Sequence, residues 1–303
     1  MIIRLPEYLN ANQFSHLFSG IVGSDRKPTC KNLTLDFSNL IFIEPTGITA
    51  LSNLIHWLYE YEIVVRFTGY EHYSGAIAYL DDSQFFERYL GQKINLNAAL
   101  RPSTKPLEFI QTSSSLPWLR YSLLEWITQN SGKTHVAFRE LLVCLQEIFQ
   151  NIRDHSGTLI GSVYAQYFPA NGRLCISISD IGVGIPQKIN KFLINQRSQA
   201  TMLVKEPLTA SSAIIKACQE GFTTSSHAGN AGRGLANLVL IITKYYNGTV
   251  IIISDNGYIK YSGKRQRLDV SDMTWTYPGC LIDIELYIKD IPDTEETSED
   301  FIW

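Results

Sequence analysis

The segment Val136–Asp154 is the strongest constraint on how this chain folds. Phe138, Leu141, Leu142, Leu145, Ile148, Phe149 and Ile152 recur at three- and four-residue spacing, which makes one broad apolar face on an α-helix. Such a helix is stable mainly through packing on another layer, so the chain must build a core around it. Ser156 and Gly157 follow, and glycine is the residue a helix C-terminus favours. A second stripe runs along the same helix: Glu147, Asn151 and His155, each four residues from the last. Successive members sit about 40° apart around the axis and share one side. A Glu and an Asn among apolar neighbours are costly to bury without partners, so the stripe is either a solvated helix edge or a site. As a site it has a clear chemistry. A carboxamide oxygen suits Mg²⁺, and a carboxylate orients or deprotonates an attacking group.

The rest of the chain supplies the layers. Leu33–Phe37 and Ile63–Thr68 are apolar runs of strand length, and Gly47–Tyr59 and Ser74–Leu90 carry apolar residues at helical spacing. Strand, helix, strand, helix predicts an α/β layer over residues 1–95. Residues 96–105 are polar and include Pro102, the signature of a linker. A second domain over 106–289 opens with a strand at Leu107–Gln111 and a helix at Leu116–Thr128. Strands follow at Gly161–Tyr167 and Leu174–Ser179. Gly182–Gly232 is rich in Ser, Thr and Gly and shows one helix, Ala210–Cys218. Leu235–Tyr245 is again helical, and Thr249–Ser254, Tyr258–Tyr261 and Cys280–Ile288 are strands without intervening helices, which predicts antiparallel pairing. The expected class is α/β, of the α+β kind.

Composition excludes several functions. The formal net charge is −3, and six of the acids (Asp290, Asp293, Glu295, Glu296, Glu299, Asp300) lie in the tail 290–303, where no Lys or Arg follows. Removing those six leaves 26 basic residues against 23 acidic ones, a nearly neutral body rather than a nucleic-acid binder. The tail ends in Phe301, Ile302 and Trp303, two aromatics after an acidic run. Five cysteines without a CxxC pair read as reduced thiols, and six scattered histidines show no zinc spacing. No apolar run approaches the 18 or more residues of a membrane span, and the start MIIRLPEYLN lacks a signal-peptide core. These features predict a cytoplasmic protein.

Two more motifs fall in the second domain. Asp180-Ile-Gly182-Val-Gly184-Ile-Pro186 follows the strand Leu174–Ser179. An Asp there accepts a hydrogen bond from an exocyclic amine while glycine lets the backbone pass close to a ring; the same residues also make a tight turn. Gly229-Asn-Ala-Gly232-Arg233-Gly234-Leu235 leads into the last helix. Glycines at a helix start expose backbone N–H groups to an anion, and they equally make a flexible linker. The loop lacks the Gly-Lys-Ser/Thr of a Walker A sequence.

The order of the three motifs resembles the ATP-binding domain shared by gyrase, histidine kinases and mismatch-repair ATPases, the GHKL superfamily, over about Leu107–Lys289. The resemblance implies a Bergerat two-layer α/β sandwich with a mixed sheet, binding ATP and Mg²⁺. It implies Asn151 as the Mg²⁺ ligand, Glu147 as the base or water-orienting residue and Asp180 as the reader of the adenine amine. Gly182 and Gly184 would shape the base pocket. Gly229, Gly232 and Gly234 would wrap the phosphates, with Arg233 and Leu235 beside them, and Gly221–Ser225, including Thr223 and Thr224, would form a lid. The late strand in that superfamily often begins Gly-Thr; here it begins Gly279-Cys280, and a thiol is a poor donor. No phosphoacceptor helix of the histidine-kinase type and no transducer domain accompany the motifs.

Residues 1–95 resemble a STAS domain, the fold of anti-sigma-factor antagonists, through the strand, loop and helix that run from Leu33 to Ile48 and the closing segment Tyr79–Gly91. In antagonists the loop reads Asp-Ser-Ser-Gly and its first serine is phosphorylated; here it reads Glu44-Pro45-Thr46-Gly47. Pro45 has no hydroxyl, which leaves Thr46 as the only substitute, or as a residue that merely caps a helix. Together the two resemblances imply a cytosolic Mg-ATP-binding regulator of the anti-sigma-factor, serine-kinase type, with nucleotide-dependent lid closure controlling a protein partner. A homodimer is one arrangement this allows; nucleic acid and membrane are not implied. The competing reading is an ATP-gated interaction switch without kinase activity, and a DNA-acting ATPase is disfavoured by the absent transducer.

Overall fold

The computed structural model describes residues 1–23, 25–155, 160–199, 206–219 and 234–291. The chain is a mixed α/β protein whose layers are set by one helix. That helix, α2 (Pro45–Glu60), is buried on nearly every side: apolar Ile48, Leu51, Leu54, Ile55 and Leu58, but also Thr46, Thr49, Ser52 and Asn53. A helix buried all round lies between two layers rather than on a surface. On one side is a parallel three-stranded sheet in the order β1 (Ile2–Arg4), β3 (Asn32–Asp36), β5 (Val64–Thr68). On the other is a five-stranded sheet, three of whose strands, β7 (Ile160–Phe168), β8 (Arg173–Asp180) and β10 (Arg267–Tyr287), contact α2 directly. Around the small sheet sit the short paired strands β2 (Tyr8–Leu9) and β4 (Phe42–Ile43) and the helices α1 (Phe14–Phe18), α3 (Gly75–Asp82) and α4 (Phe85–Leu90).

The five-stranded sheet has the order β6 (Thr104–Gln111), β7 (Ile160–Phe168), β8 (Arg173–Asp180), β10 (Arg267–Tyr287), β9 (Thr249–Ser262). The family resemblance implies a mixed sheet, but every ladder in this one is antiparallel. Tight hairpins impose this on β7–β8, where Phe168 pairs Arg173, and on β9–β10, where Ser262 pairs Arg267. Helices α5 (Ser115–Trp118) and α6 (Leu124–Ser131), joined through a π-helical turn, and α7 (Arg139–His155) lie between β6 and β7 in the chain. After β8 come α8 (Ile185–Gln199), α9 (Ala210–Ala217) and α10 (Gly234–Leu240), the last continuing as a π-turn to Tyr245.

Two cores result, one on each side of the large sheet. Leu174, Ile176 and Ile178 of β8 and Ile282, Ile284 and Leu286 of β10 point into the core formed with α7 and α10. Their pleat neighbours Cys175, Ser177 and Ser179, and Leu281 and Asp283, belong to the opposite face, and all of these are buried as well. Leu281, Tyr164, Trp275 and Tyr277 join the core of the N-terminal layer, where Phe18 stacks on Trp275 at 5.5 Å and meets Tyr277 at 4.8 Å.

Two local expectations change. Pro45 takes the first position of α2, where its fixed φ is favourable, and Glu44 precedes it without a side-chain cap, so Thr46 is not a capping residue. And Gly182–Gly232 holds a second helix, α8, which buries Pro186 and Ile189 among its described side chains and shows no broad apolar stripe. Tertiary contact supplies what the pattern lacks: Asn190 Nδ2 donates to Leu208 O at 3.0 Å and its Oδ1 accepts from Leu208 N at 2.8 Å, tying α8 to the start of α9. Among the described residues no helix is long and apolar enough to cross a membrane.

Candidate functional site

The apolar face of α7 lies on β7, where Ile152 and Phe149 pack against Gly161. That orientation leaves Glu147 and Asn151 half-buried on the side that meets the first residue of α10. A Cβ on Gly234 would stand 2.9 Å from Asn151 Nδ2, 3.7 Å from Glu147 Cβ and 3.8 Å from Glu147 Oε2. Three residues from two motifs, Gly234 lying 83 positions beyond Asn151 and 87 beyond Glu147, thus converge on one point that position 234 leaves open by having no side chain. Leu235, next along, is partly buried against the same core. The side chain of His155 and residues Thr223, Thr224, Gly229, Gly232 and Arg233 lie outside the described residues.

A second cluster forms where β8 ends. Asp180 is 8% exposed, and its Oδ1 accepts the Gly182 amide at 2.7 Å. Burial pushes its carboxyl up to about 6, the amide bond pulling the other way. Gly184 has φ +78°, and a Cβ there would meet Ser254 Oγ at 2.9 Å, so glycine is required by the backbone and by β9 at once. Ser254 Oγ accepts from Ile185 N at 2.9 Å and donates to Gly279 O at 2.8 Å, joining the turn to β10. Gly279, at φ +100°, lies against the Asp180 carbonyl, and Cys280 is the strand partner of Asp180. Ser179 Oγ completes the cluster, 2.8 Å from Tyr277 Oη and donating to Cys280 O at 2.8 Å. The register shift between Tyr277 and Cys280 is a β-bulge, the device that re-aims backbone beside a site.

The thiol of Cys280 is buried and pushed far up by that burial, with the nearby Asp180 carboxylate adding to it. It is a neutral, weak donor beside the Asp180 carboxylate. An open cleft of about 520 Å³ adjoins the turn, lined by Arg26, Gln187, Asn190, Thr209, Asp255 and Asp272 among others.

Ser254, Tyr277, Arg26 and Asn53 are absent from the motifs, although each contacts the Asp180 region. Ser254 ends an otherwise apolar strand run and Asn53 interrupts an apolar helix, and each is the kind of break that a buried polar link leaves in a sequence. Among the described residues no group of three or more His, Cys, Asp and Glu side chains is placed to hold a metal ion. A Mg²⁺ site does not need one, since Mg²⁺ takes one or two protein oxygens and fills its shell with phosphate and water. The carboxamide of Asn151 beside the carboxylate of Glu147 is a donor set of that hard, oxygen-only kind. No protein-family model matches the chain, and no curated protein matches it.

Proposed function

We propose that the chain is a Mg-ATP-binding regulatory protein, with a Bergerat-type nucleotide domain built on the five-stranded sheet and a STAS-like layer on its far face. The observation that carries this reading is the convergence of Gly234 on Asn151 and Glu147, a cradle that a single Cβ would fill. Asp180, at the end of β8, is the base-reading group: buried, with Oδ1 held by Gly182 and its second oxygen left for an exocyclic amine. Bound Mg²⁺ would neutralise phosphate charge at Asn151. Glu147 then orients or deprotonates whichever hydroxyl or water faces the γ-phosphate. Cys280 in place of a threonine weakens base affinity, because a thiol is a poor donor.

A second reading, an ATP-gated interaction switch without kinase activity, is favoured by Thr46. It is 3% exposed, in the first turn of α2 against the large sheet, and Pro45 beside it has no hydroxyl. The loop therefore offers no accessible phosphoacceptor. Calorimetry with ATP and Mg²⁺ tests the shared core of both readings. Binding by the natural chain, lost in Asp180→Asn and losing its Mg²⁺ dependence in Asn151→Ala, supports it; unchanged binding in both variants rejects the site. Radiolabelled ATP separates the two readings: label on a protein hydroxyl makes the chain a kinase, whereas free phosphate or binding alone makes it a switch.

A further inference from the structure

The two backbone segments that flank Asp180 are both held from the N-terminal layer. One is the turn Ile181–Gly184. Arg26 reaches it from a loop of the first thirty residues and donates through Nη1 to Val183 O at 2.6 Å and to Gln187 Oε1 at 3.1 Å. Its Nη2 pairs with Asp255 of β9. The other segment is the bulge at Tyr277–Gly279. Asn53, 2% exposed in the middle of α2, donates through Nδ2 to Pro278 O at 2.9 Å. Between the two anchored carbonyls run Gly279 O, Ser254 Oγ and Ile185 N, one continuous hydrogen-bonded line past Asp180.

Arg26 carries a further sign of constraint. Its φ is +62°, left-handed backbone that a non-glycine residue adopts at a cost, fixed by Arg26 N to Gly23 O at 2.9 Å and Gly23 N to Lys27 O at 2.8 Å. The turn spends that conformational cost on aiming one guanidinium across the chain. A buried asparagine in an otherwise apolar helix is likewise costly unless its amide is paired, and the partner it finds is a bulge carbonyl next to the site.

We infer that Arg26 and Asn53 are positioning residues of the nucleotide site, so that docking of the N-terminal layer sets the affinity for the base at Asp180. The inference rests on the reading of Asp180 as the adenine-recognising group. Physically, a carbonyl tethered from outside holds the turn in the geometry that keeps Gly182 N on Asp180 Oδ1. Releasing the tether lets the turn relax and misplaces the free carboxylate oxygen. Coupling is reciprocal: nucleotide at Asp180 favours the docked N-terminal layer as strongly as docking favours nucleotide.

Arg26→Asn is the sharpest variant, since asparagine tolerates the left-handed backbone while losing the guanidinium. Asn53→Leu is the second, with Arg4→Ala, which breaks an ion pair at the far edge of the small sheet, as control. Two measurements on the full chain decide. Hydrogen exchange needs no ligand: the amides of Gly182 and Ile185 should exchange about tenfold faster in Arg26→Asn, with the β1–β3–β5 amides unchanged. Calorimetry with MgATP should show about tenfold weaker binding in Arg26→Asn and in Asn53→Leu, and unchanged binding in Arg4→Ala. A purely structural role would lower the melting temperature and leave the dissociation constant alone. Unchanged exchange at Gly182 and Ile185 overturns the positioning role whatever the ligand result. Faster exchange in a chain whose natural form binds no MgATP overturns the nucleotide reading and leaves the tether itself established. If Asn53→Leu does not fold, Arg26→Asn decides alone.

Discussion

Gly234 and Asn151 are in contact across the α7–α10 boundary, with the Asn151 amide nitrogen 2.9 Å from the point a Cβ on residue 234 would occupy. The atom in the way is the tip of a side chain, which moves at little cost to folding. Gly234→Ala should therefore change stability by less than about 1 kcal/mol, alanine being the better helix former. It should still weaken MgATP binding at least tenfold by turning the Asn151 amide aside. Gly279→Ala should do the reverse in kind: its Cβ would overlap the Asp180 backbone carbonyl at φ +100°, and a loss of roughly 2–4 kcal/mol is expected. Chemical denaturation and calorimetry on the two variants check the contrast, and a Gly234→Ala chain that binds normally would remove Asn151 from the site.

Asp180 titrates near 6, raised by burial. If its carboxylate accepts from the base amine, ligand affinity rises with pH through about 6 and levels off above it. Binding measured from pH 5 to 8 should show that rise in the natural chain, while Asp180→Asn stays without measurable binding across the range. A flat profile in the natural chain counts against an ionised Asp180 as acceptor.

Asp283 sits on the buried face under α2, beside Thr46 and Ser177, with the Glu44 and Glu285 carboxylates, the Arg173 guanidinium and the Cys175 thiol around it. Burial pushes its carboxyl up to about 7. A carboxyl raised above its unfolded value of about 3.9 binds its proton more tightly when folded, so its contribution is full below pH ~4 and is lost as pH rises to about 7. Asp283→Asn should flatten that decline and gain about 1–3 kcal/mol at pH 8. Denaturant midpoints at pH 5 and pH 8 give the answer; equal midpoint differences at both would contradict it.

Thr46 faces the same boundary at 3% exposure. Incubation with labelled ATP should leave it unmodified in the folded chain. Thr46→Glu, which adds a further carboxylate next to Asp283, should cost about 3 kcal/mol or more. Mass spectrometry and thermal melting test the two statements, and a phosphorylated Thr46 in folded protein would show that α2 leaves the sheet.

Much of the site region is legible in residue order. The apolar spacing from Phe138 to Ile152 places α7 on a sheet, and the four-residue step from Glu147 to Asn151 keeps both on one side of it. Helical and strand periods are local properties, read from neighbours in the chain. The Asp180 turn is legible for the same reason, since Gly184 needs its left-handed φ whatever lies nearby. Helix α8 is not legible, because it shows no broad apolar stripe and is held by tertiary contacts, those of Asn190 with Leu208 among them.

The alternation Leu174-Cys-Ile-Ser-Ile-Ser-Asp180 determines by itself that β8 has one apolar face and one polar face. Read alone, that alternation describes a strand with its polar side in water. Only the tertiary structure decides that the polar side is dry, because α2 lies across it with Thr46, Thr49, Ser52 and Asn53 buried. A strand's period records which residues share a face, whereas what covers that face is fixed by contacts more than a hundred residues away along the chain. Arg26 and Asn53 reach the Asp180 region over just such separations, of 157 residues to Val183 and 225 to Pro278, which no local pattern encodes.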